Sequence, residues 1–167
     1  MKQNNWFDPF FIFENLSEED QEIQKNVKNF SESILKPSVV NHNRNHYFDR
    51  ELYKEFGKLG LLGSTINSHG GAGASDTAYG LIAYEIEKID SSYRSSISVQ
   101  SSLVIHPIHS FGNEEQKDKY LPDLISGDKI GCFGLTESEA GSDPSSMKTT
   151  YKKHQDGYIL NGNKNWI

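Results

Sequence analysis

The segment best suited to chemistry covers residues 132–147 and reads CFGLTESEAGSDPSSM. An apolar run typical of a strand leads to Thr136 and Glu137, and a tight Ala-Gly-Ser loop follows at 140–142. Small residues let backbone N–H donors and hydroxyls approach a planar ligand closely. This donor set suits a flavin or a thioester, although an ordinary strand and turn has a similar composition.

A glycine-rich loop at residues 70–73 offers a second candidate, because exposed N–H groups at a helix start bind anions. A dinucleotide fingerprint requires a preceding strand, whereas helices are predicted on both sides here, and no Lys-Ser or Lys-Thr pair completes a P-loop. We therefore expect a connection between helices, with a phosphate site as the less favoured alternative. The six histidines form no His-Glu-x-x-His pattern and no Gly-x-Ser-x-Gly elbow is present, so neither a metal centre nor a serine hydrolase is expected.

The composition also limits the partners. The 167 residues carry a net charge of −6 without a cluster of basic residues, so nucleic acid is not an expected partner. Cys132 is the single cysteine, which predicts a reduced, intracellular setting. No window approaches the ~20 apolar residues of a membrane span, and the features of a signal peptide are lacking, so no membrane insertion is expected.

The elements that position these residues are predicted to be mainly helical. Ser17 and Ser75 are capping residues ahead of acidic first turns, and apolar residues then recur at spacings of three and four. Pro37 is expected to end or bend the first helix. Further helices are predicted over residues 49–59, 93–106 and 114–120.

The pattern changes to strands after Lys129. A buried strand is predicted over 130–136, an exposed strand over 148–153, and a return strand from Tyr158. Trp166 and Ile167 have the pattern of the middle of a further strand. The sequence thus predicts a helical domain over residues 1–128 and the start of a β domain over 129–167, which is incomplete.

Five stretches of the chain resemble acyl-CoA dehydrogenases, and within that family glutaryl-CoA dehydrogenases most. These stretches are LGLLGSTI, AYGLIAYEIEKIDSSYRSSISVQSSLVIHPI, FGNEEQKDKYLPDLISGDKIGCFGLTE, GSDPSSM and NGNKNWI. The resemblance implies a fold with an N-terminal helical domain, a central β domain and a C-terminal four-helix domain. It also implies FAD as the cofactor, bound between the β domain and the C-terminal helices.

The resemblance assigns flavin contacts to matching positions of this chain. Trp166 is expected near the isoalloxazine ring, and Ser142 is expected to approach the acyl thioester or the pantetheine arm of CoA as well as the flavin. The residues expected to line the flavin are Phe133, Leu135, Thr136, Gly141 and Ser142.

The substrate class depends on Arg94 and its neighbours. A dicarboxylyl substrate has a free carboxylate far from the thioester, and a guanidinium is well shaped to bind it. In the glutaryl-type pattern the residue matching Arg94 binds this carboxylate, assisted by positions that match Glu87, Ser95 and Ser98. The alternative for Arg94 is a surface or interdomain salt bridge.

The reaction implied by the resemblance is α,β-dehydrogenation of the acyl-CoA, with decarboxylation to a crotonyl product in the glutaryl case. The base is a glutamate of the C-terminal domain in this family, so it is expected beyond Ile167. Glu137 is interpreted as a positioning residue, and no residue of this chain is assigned as the catalytic base. The chain is therefore expected to be the front part of a longer enzyme and to be inactive alone.

The resemblance further implies a homotetramer and electron-transfer flavoprotein as the electron acceptor. Because no transit segment is recognised, a bacterial cytoplasm is a better expectation than the mitochondrial matrix. Two other hypotheses stay open. The chain could be a non-catalytic helical interaction module, or a degenerate remnant whose unpaired strand edges would aggregate.

Overall fold

A computed structural model describes residues 8–167, which divide into two compact units. The first unit extends to Gly131 and the second covers Cys132–Ile167. The first unit contains the helices α1 (Glu18–Phe30), α2 (Lys36–Arg44), α3 (Leu52–Lys58), α4 (Asp76–Glu87), α5 (Ser91–Ser98), α6 (His106–Phe111) and α7 (Glu114–Ser126). The predicted fold class, mainly helical with a few strands at the end, is confirmed.

The capping residues predicted from the sequence begin two of the helices. The Ser17 hydroxyl accepts the Asp20 N–H at 3.1 Å at the start of α1. The Ser75 hydroxyl accepts the Ala78 N–H at 2.9 Å at the start of α4. Ser75 also donates to Asp20 at 2.7 Å, so the two helix starts are joined.

Two prolines continue helices instead of ending them. A wide π-helical turn, Ser31–Leu35, follows α1, and Pro37 lies at the start of α2, so the helical path does not end at Pro37; the other alternative, a bend at Pro37, stays a prediction. A second π-helical segment, Val99–Ile105, precedes Pro107 in the same way, and the helical path extends past His106. A proline inside a continuous helical path removes one N–H donor and crowds the preceding turn, and each of these prolines directly follows a π-helical segment, in which the turns are wider.

Apolar side chains from the helices form one core in the first unit. Phe56, Leu35 and Ile86 are fully buried in it. Several polar side chains are buried as well, and among them Gln100 is only 1% exposed. It donates to the Leu124 and Lys129 carbonyls at 2.8 and 2.9 Å and accepts the Gly131 N–H at 2.9 Å, so the buried amide fixes the chain as it leaves α7.

Helices α3 and α7 pack through glycines. A Cβ at Gly57 would lie 2.1 Å from the Ser126 carbonyl oxygen, and a Cβ at Gly127 would lie 2.1 Å from the Tyr53 oxygen. Gly127 also has φ +82°, a conformation that side chains with a Cβ rarely adopt. Gly57, a weak helix former by sequence, is therefore required by the close approach of the two backbones.

The second unit contains a single hairpin and two irregular segments. Strand β1 (Thr150–His154) pairs antiparallel with β2 (Gly157–Asn161), close to the two strands predicted there. The strand predicted over 130–136 is wrong, because these residues find no strand partner in the described part of the chain. Trp166 has φ +62°, and residues 162–167 are likewise irregular, so the strand predicted at Trp166 and Ile167 is wrong as well.

Candidate active site

The loop of residues 132–147 presents unpaired donors at its surface. Leu135 and Thr136 are half-buried, whereas Gly141 and Ser142 are exposed. Within residues 8–167, no hydrogen bond uses the amides of these four residues or the hydroxyls of Thr136 and Ser142. A Cβ at Gly141 would meet nothing within 4 Å. This surface is open and rich in donors, which fits the carbonyl and ring-nitrogen acceptors of a flavin.

The C-terminal segment lies against the start of this loop. The Asn165 N–H donates to the Thr136 carbonyl at 2.9 Å, and the Lys164 ammonium donates to the Leu135 carbonyl at 2.8 Å. The structure therefore brings Leu135 and Thr136 next to the chain that carries Trp166. The Trp166 side chain is 95% exposed, which leaves its aromatic surface free for a ligand. Phe133 is 40% exposed.

The Glu137 side chain connects the loop to neighbouring segments through hydrogen bonds. Its carboxylate is buried and accepts the Lys148 N–H at 2.6 Å, the Thr149 N–H at 3.0 Å and the Lys164 ammonium at 2.9 Å. Its backbone exchanges two hydrogen bonds with Ala140, at 3.2 and 3.1 Å, which closes the turn before Gly141.

These neighbours favour the ionised form of Glu137. The Thr149 side chain, the Lys148 amide and the Lys164 ammonium lower the pKa of Glu137 to about 2. The buried Thr149 hydroxyl oxygen has no hydrogen-bond partner of ordinary geometry within residues 8–167, so the backbone amides and the Lys164 ammonium are the causes that the geometry supports. A general base is most effective with a pKa near the working pH, so Glu137 is poorly suited to abstract a substrate proton.

Lys164 is the residue that the sequence analysis missed. A buried carboxylate requires a cation or several donors, and this rule is the signal that could have led to it. The sequence alone does not show that Lys164 is the cation, because it lies 27 residues after Glu137.

The second group of predicted site residues lies in the helical unit, around the start of α5. The Arg94 Nε donates to Glu87 at 2.7 Å, and its Nη1 lies 3.5 Å from the Ser98 hydroxyl. Ser91 donates to Glu87 at 2.5 Å. Hydrogen bonds from Ser91 and Arg94 hold the pKa of Glu87 below its usual value. The Ser95 hydroxyl has no hydrogen bond within residues 8–167, although Ser95 follows Arg94 directly in α5.

The arginine is held by a well-anchored helix. Tyr93 is only 3% exposed, and its hydroxyl lies 3.3 Å from the His42 Nδ1. Asp90 caps α5 by accepting the Ser92 N–H at 2.8 Å, and it also accepts the Asn43 side-chain amide at 3.0 Å. These contacts fix the N-terminal half of α5 against α2. Arg94 therefore extends from a rigid support with a side chain that is 35% exposed.

The glycine-rich loop uses two of its amides in its own hydrogen bonds. In the glycine-rich loop, the Gly71 N–H donates to Ser68 and the Gly73 N–H donates to Ile66, so both amides are already used. No group of three metal-ligating side chains occurs among the described residues. In the same part of the chain, no helix is long and apolar enough to cross a membrane.

Comparisons with known proteins identify the family. The family model described as "Acyl-CoA dehydrogenase, N-terminal domain" matches residues 17–128, and the model described as "Acyl-CoA dehydrogenase, middle domain" matches residues 132–167. Isovaleryl-CoA dehydrogenase, mitochondrial, of Pongo abelii is 40% identical over 155 residues, which cover 91% of this chain and 37% of the relative.

Two solved structures are similar as well. The crystal structure of glutaryl-CoA dehydrogenase from Mycobacterium smegmatis has a TM-score of 0.89 and 45% identity, over 94% of this chain and 41% of that chain. A structure of a glutaryl-CoA dehydrogenase from the same organism in complex with FADH2 has a TM-score of 0.89 and 42% identity, over 93% and 40% of the two chains. The chain spans about 40% of the length of these relatives. Since the first family model alone matches more than half of its residues, the chain belongs to the acyl-CoA dehydrogenase family.

Proposed function

We propose that this chain is the N-terminal part of an FAD-dependent dehydrogenase that acts on glutaryl-CoA or a similar dicarboxylyl thioester. The observation that carries the proposal is the cluster that Arg94 and Ser98 of the anchored helix α5 form with Glu87 at the end of α4. The similarity to glutaryl-CoA dehydrogenases supports the substrate class. Isovaleryl-CoA dehydrogenase is almost as similar in sequence, so overall identity does not distinguish a glutaryl from an isovaleryl substrate. The proposed substrate class therefore depends on the residues of the site.

The geometry of Arg94 leaves donors for a ligand. A guanidinium has five N–H donors in a planar fork. Glu87 uses the Nε donor, and Ser98 lies at the limit of hydrogen-bond distance from Nη1. At least three donors are thus available to a carboxylate. Because Glu87 fixes the plane of the fork, binding the ligand costs less side-chain entropy than it would with a free arginine.

The flavin site is proposed on the second unit. Leu135, Thr136, Gly141 and Ser142 would hold FAD through their free donors, and Phe133 would line the flavin with Trp166 near its isoalloxazine ring. When it is bound, FAD supplies the acceptor for a hydride from the substrate β carbon. We propose that Ser142 binds the thioester or the pantetheine arm as well.

Two backbone amides and Lys164 already engage the Glu137 carboxylate, so it is a poor candidate for the base. We propose that the catalytic base is a glutamate of a C-terminal helical domain of the full-length enzyme. We propose residues 1–128 as the helical domain and 129–167 as the start of the β domain. A homotetramer and electron-transfer flavoprotein as acceptor complete the proposal for the full-length enzyme. By itself, the chain is proposed to be inactive.

The test is a substitution that removes the guanidinium in the full-length protein. Arg94→Met keeps a long helix-forming side chain but has no donor for a carboxylate. A hydrogen bond to a charged group contributes about 1.5–3 kcal/mol, so kcat/KM for glutaryl-CoA is expected to fall roughly 10- to 150-fold. Activity with isovaleryl-CoA, which lacks the distal carboxylate, is expected to change less than about threefold.

Arg44→Met is the matched control, since Arg44 is an exposed arginine of α2. It is expected to leave both activities unchanged. Equal loss of the two activities in Arg94→Met would show that Arg94 has a structural role, and the glutaryl proposal would fall. A full-length protein that binds no flavin would favour the non-catalytic interaction module.

A further inference from the structure

Two separate segments of the second unit bind the Glu137 carboxylate, which itself comes from a third. Lys148 and Thr149 are the two residues before β1, and their amides donate to the two carboxylate oxygens at 2.6 and 3.0 Å. The Lys164 ammonium, from the segment after β2, donates at 2.9 Å. Glu137 itself belongs to the loop that carries the free donors. One buried side chain therefore links the loop to both ends of the hairpin.

Lys164 extends this link to the backbone of the loop. Its ammonium also donates to the Leu135 carbonyl at 2.8 Å and lies 3.7 Å from the Met147 sulfur. The Lys164 side chain is only 24% exposed and its partner Glu137 is 9% exposed, so the pair is largely shielded from solvent. Charge-assisted hydrogen bonds in such a setting are stronger and more directional than surface ion pairs.

The path of the C-terminal segment is fixed by close packing. A Cβ at Gly162 would lie 2.0 Å from the Thr149 Oγ1, so the backbone at Gly162 packs directly against Thr149, the residue before β1. Lys164 follows two residues later, and the Asn165 N–H then binds the Thr136 carbonyl at 2.9 Å. Lys164 and Asn165 thus bind the carbonyls of Leu135 and Thr136. The amides of these two residues and the Thr136 hydroxyl remain available to a ligand.

We propose that Glu137 and Lys164 form a positioning pair that holds the Leu135–Thr136 edge of the loop in the conformation that binds the flavin. The inference rests on the proposed function, because it assumes that this loop binds FAD. Neither residue touches the reacting atoms. The pair acts through the backbone of Leu135, and the ionised state of Glu137 described above keeps the attraction to Lys164 intact throughout the neutral pH range.

The test uses the full-length holoenzyme with three variants. Lys164→Met removes the ammonium, Lys164→Arg retains a cation with several donors, and Lys148→Met is the matched control. Lys148 pairs with Glu139 in the same unit, but both side chains are exposed, at 74% and 68%. Its backbone amide, which binds Glu137, is unchanged by the substitution.

The dissociation constant of FAD and the visible absorption bands of the bound flavin are measured for each variant. Lys164→Met is expected to weaken FAD binding about tenfold or more and to broaden the flavin bands toward those of free FAD. Lys164→Arg is expected to stay within about fivefold of the wild type, and Lys148→Met within about twofold. The melting temperature of each apoprotein shows whether the fold has changed.

The inference is overturned if Lys164→Met binds FAD as tightly as the wild type does. It is equally overturned if Lys164→Arg loses as much affinity as Lys164→Met, or if Lys148→Met matches that loss. The failure of the proposed function has a different signature, because the wild-type protein would then bind no FAD at all.

Discussion

The packing of α3 on α7 gives a sharp prediction through two glycines in different surroundings. Gly57 lies inside α3, where a Cβ would meet the Ser126 oxygen at 2.1 Å and the Ile125 oxygen at 2.8 Å. Gly80 lies on the exposed face of α4, where a Cβ would meet nothing within 4 Å. Each Gly→Ala substitution gains helix propensity, but only Gly57→Ala forces two backbones apart.

The magnitudes follow from these distances. Alanine in place of glycine inside an exposed helix stabilises by about 0.5–1 kcal/mol, which is the expectation for Gly80→Ala. Overpacking a close contact costs about 1–3 kcal/mol. The oxygen facing Gly57 is a backbone atom that cannot rotate away, so the upper part of that range applies. After the helix gain is subtracted, Gly57→Ala is expected to lose about 1–2 kcal/mol, and the two variants should differ by about 2–3 kcal/mol.

The assay is urea unfolding of both variants and the wild type, followed by far-UV circular dichroism. Gly80→Ala serves as the control, because it makes the same chemical change without the contact. If Gly57→Ala proves as stable as Gly80→Ala, the two helices do not approach as closely as the structure shows, and the argument is refuted.

Two further predictions concern the loop and the helix starts. The pKa of Glu137 is depressed in the folded state to about 2, from an ordinary value of 4.5, so its stabilising effect is full above about pH 4.5 and is lost as the pH falls toward 2. The free energy of unfolding of Glu137→Gln should therefore be lower than that of the wild type above about pH 4.5, and the two values should converge at about pH 2. Urea unfolding at several pH values measures both. A difference that stays constant with pH would contradict the lowered pKa of Glu137. Ser75→Ala removes both the cap of α4 and the hydrogen bond to Asp20. It should lower the free energy of unfolding by about 1–2 kcal/mol. The control is Ser33→Ala, at an exposed serine of the π-helical turn, which should change the free energy of unfolding by less than about 0.5 kcal/mol.

The features that could be predicted from the sequence are those determined by local chemistry. Ser17 and Ser75 begin helices as expected, since a capping hydroxyl needs only its own first turn. The turn at Gln155–Asp156 and the strands on either side of it also follow from local signals.

The features that the sequence did not predict depend on distant partners. The run at 130–136 has the composition of a strand, but a strand requires a neighbouring strand. The described residues provide isolated hydrogen bonds to Gln100, Lys164 and Asn165 instead. The π-helical turns before Pro37 and Pro107 were not predicted either, because apolar periodicity distinguishes a helix from a strand but not one helical hydrogen-bond spacing from another. The link between Glu137 and Lys164 is a tertiary contact, so the sequence showed the carboxylate without its cation.

The central claim is that the full-length protein oxidises a dicarboxylyl thioester by means of a bound flavin. Its most direct test is to mix the FAD-loaded, full-length protein anaerobically with glutaryl-CoA labelled at the distal carboxyl. The account predicts rapid bleaching of the flavin and release of the label as carbon dioxide. Bleaching by isovaleryl-CoA but not by glutaryl-CoA would contradict it, and Arg94 would then belong to a structural ion pair with Glu87.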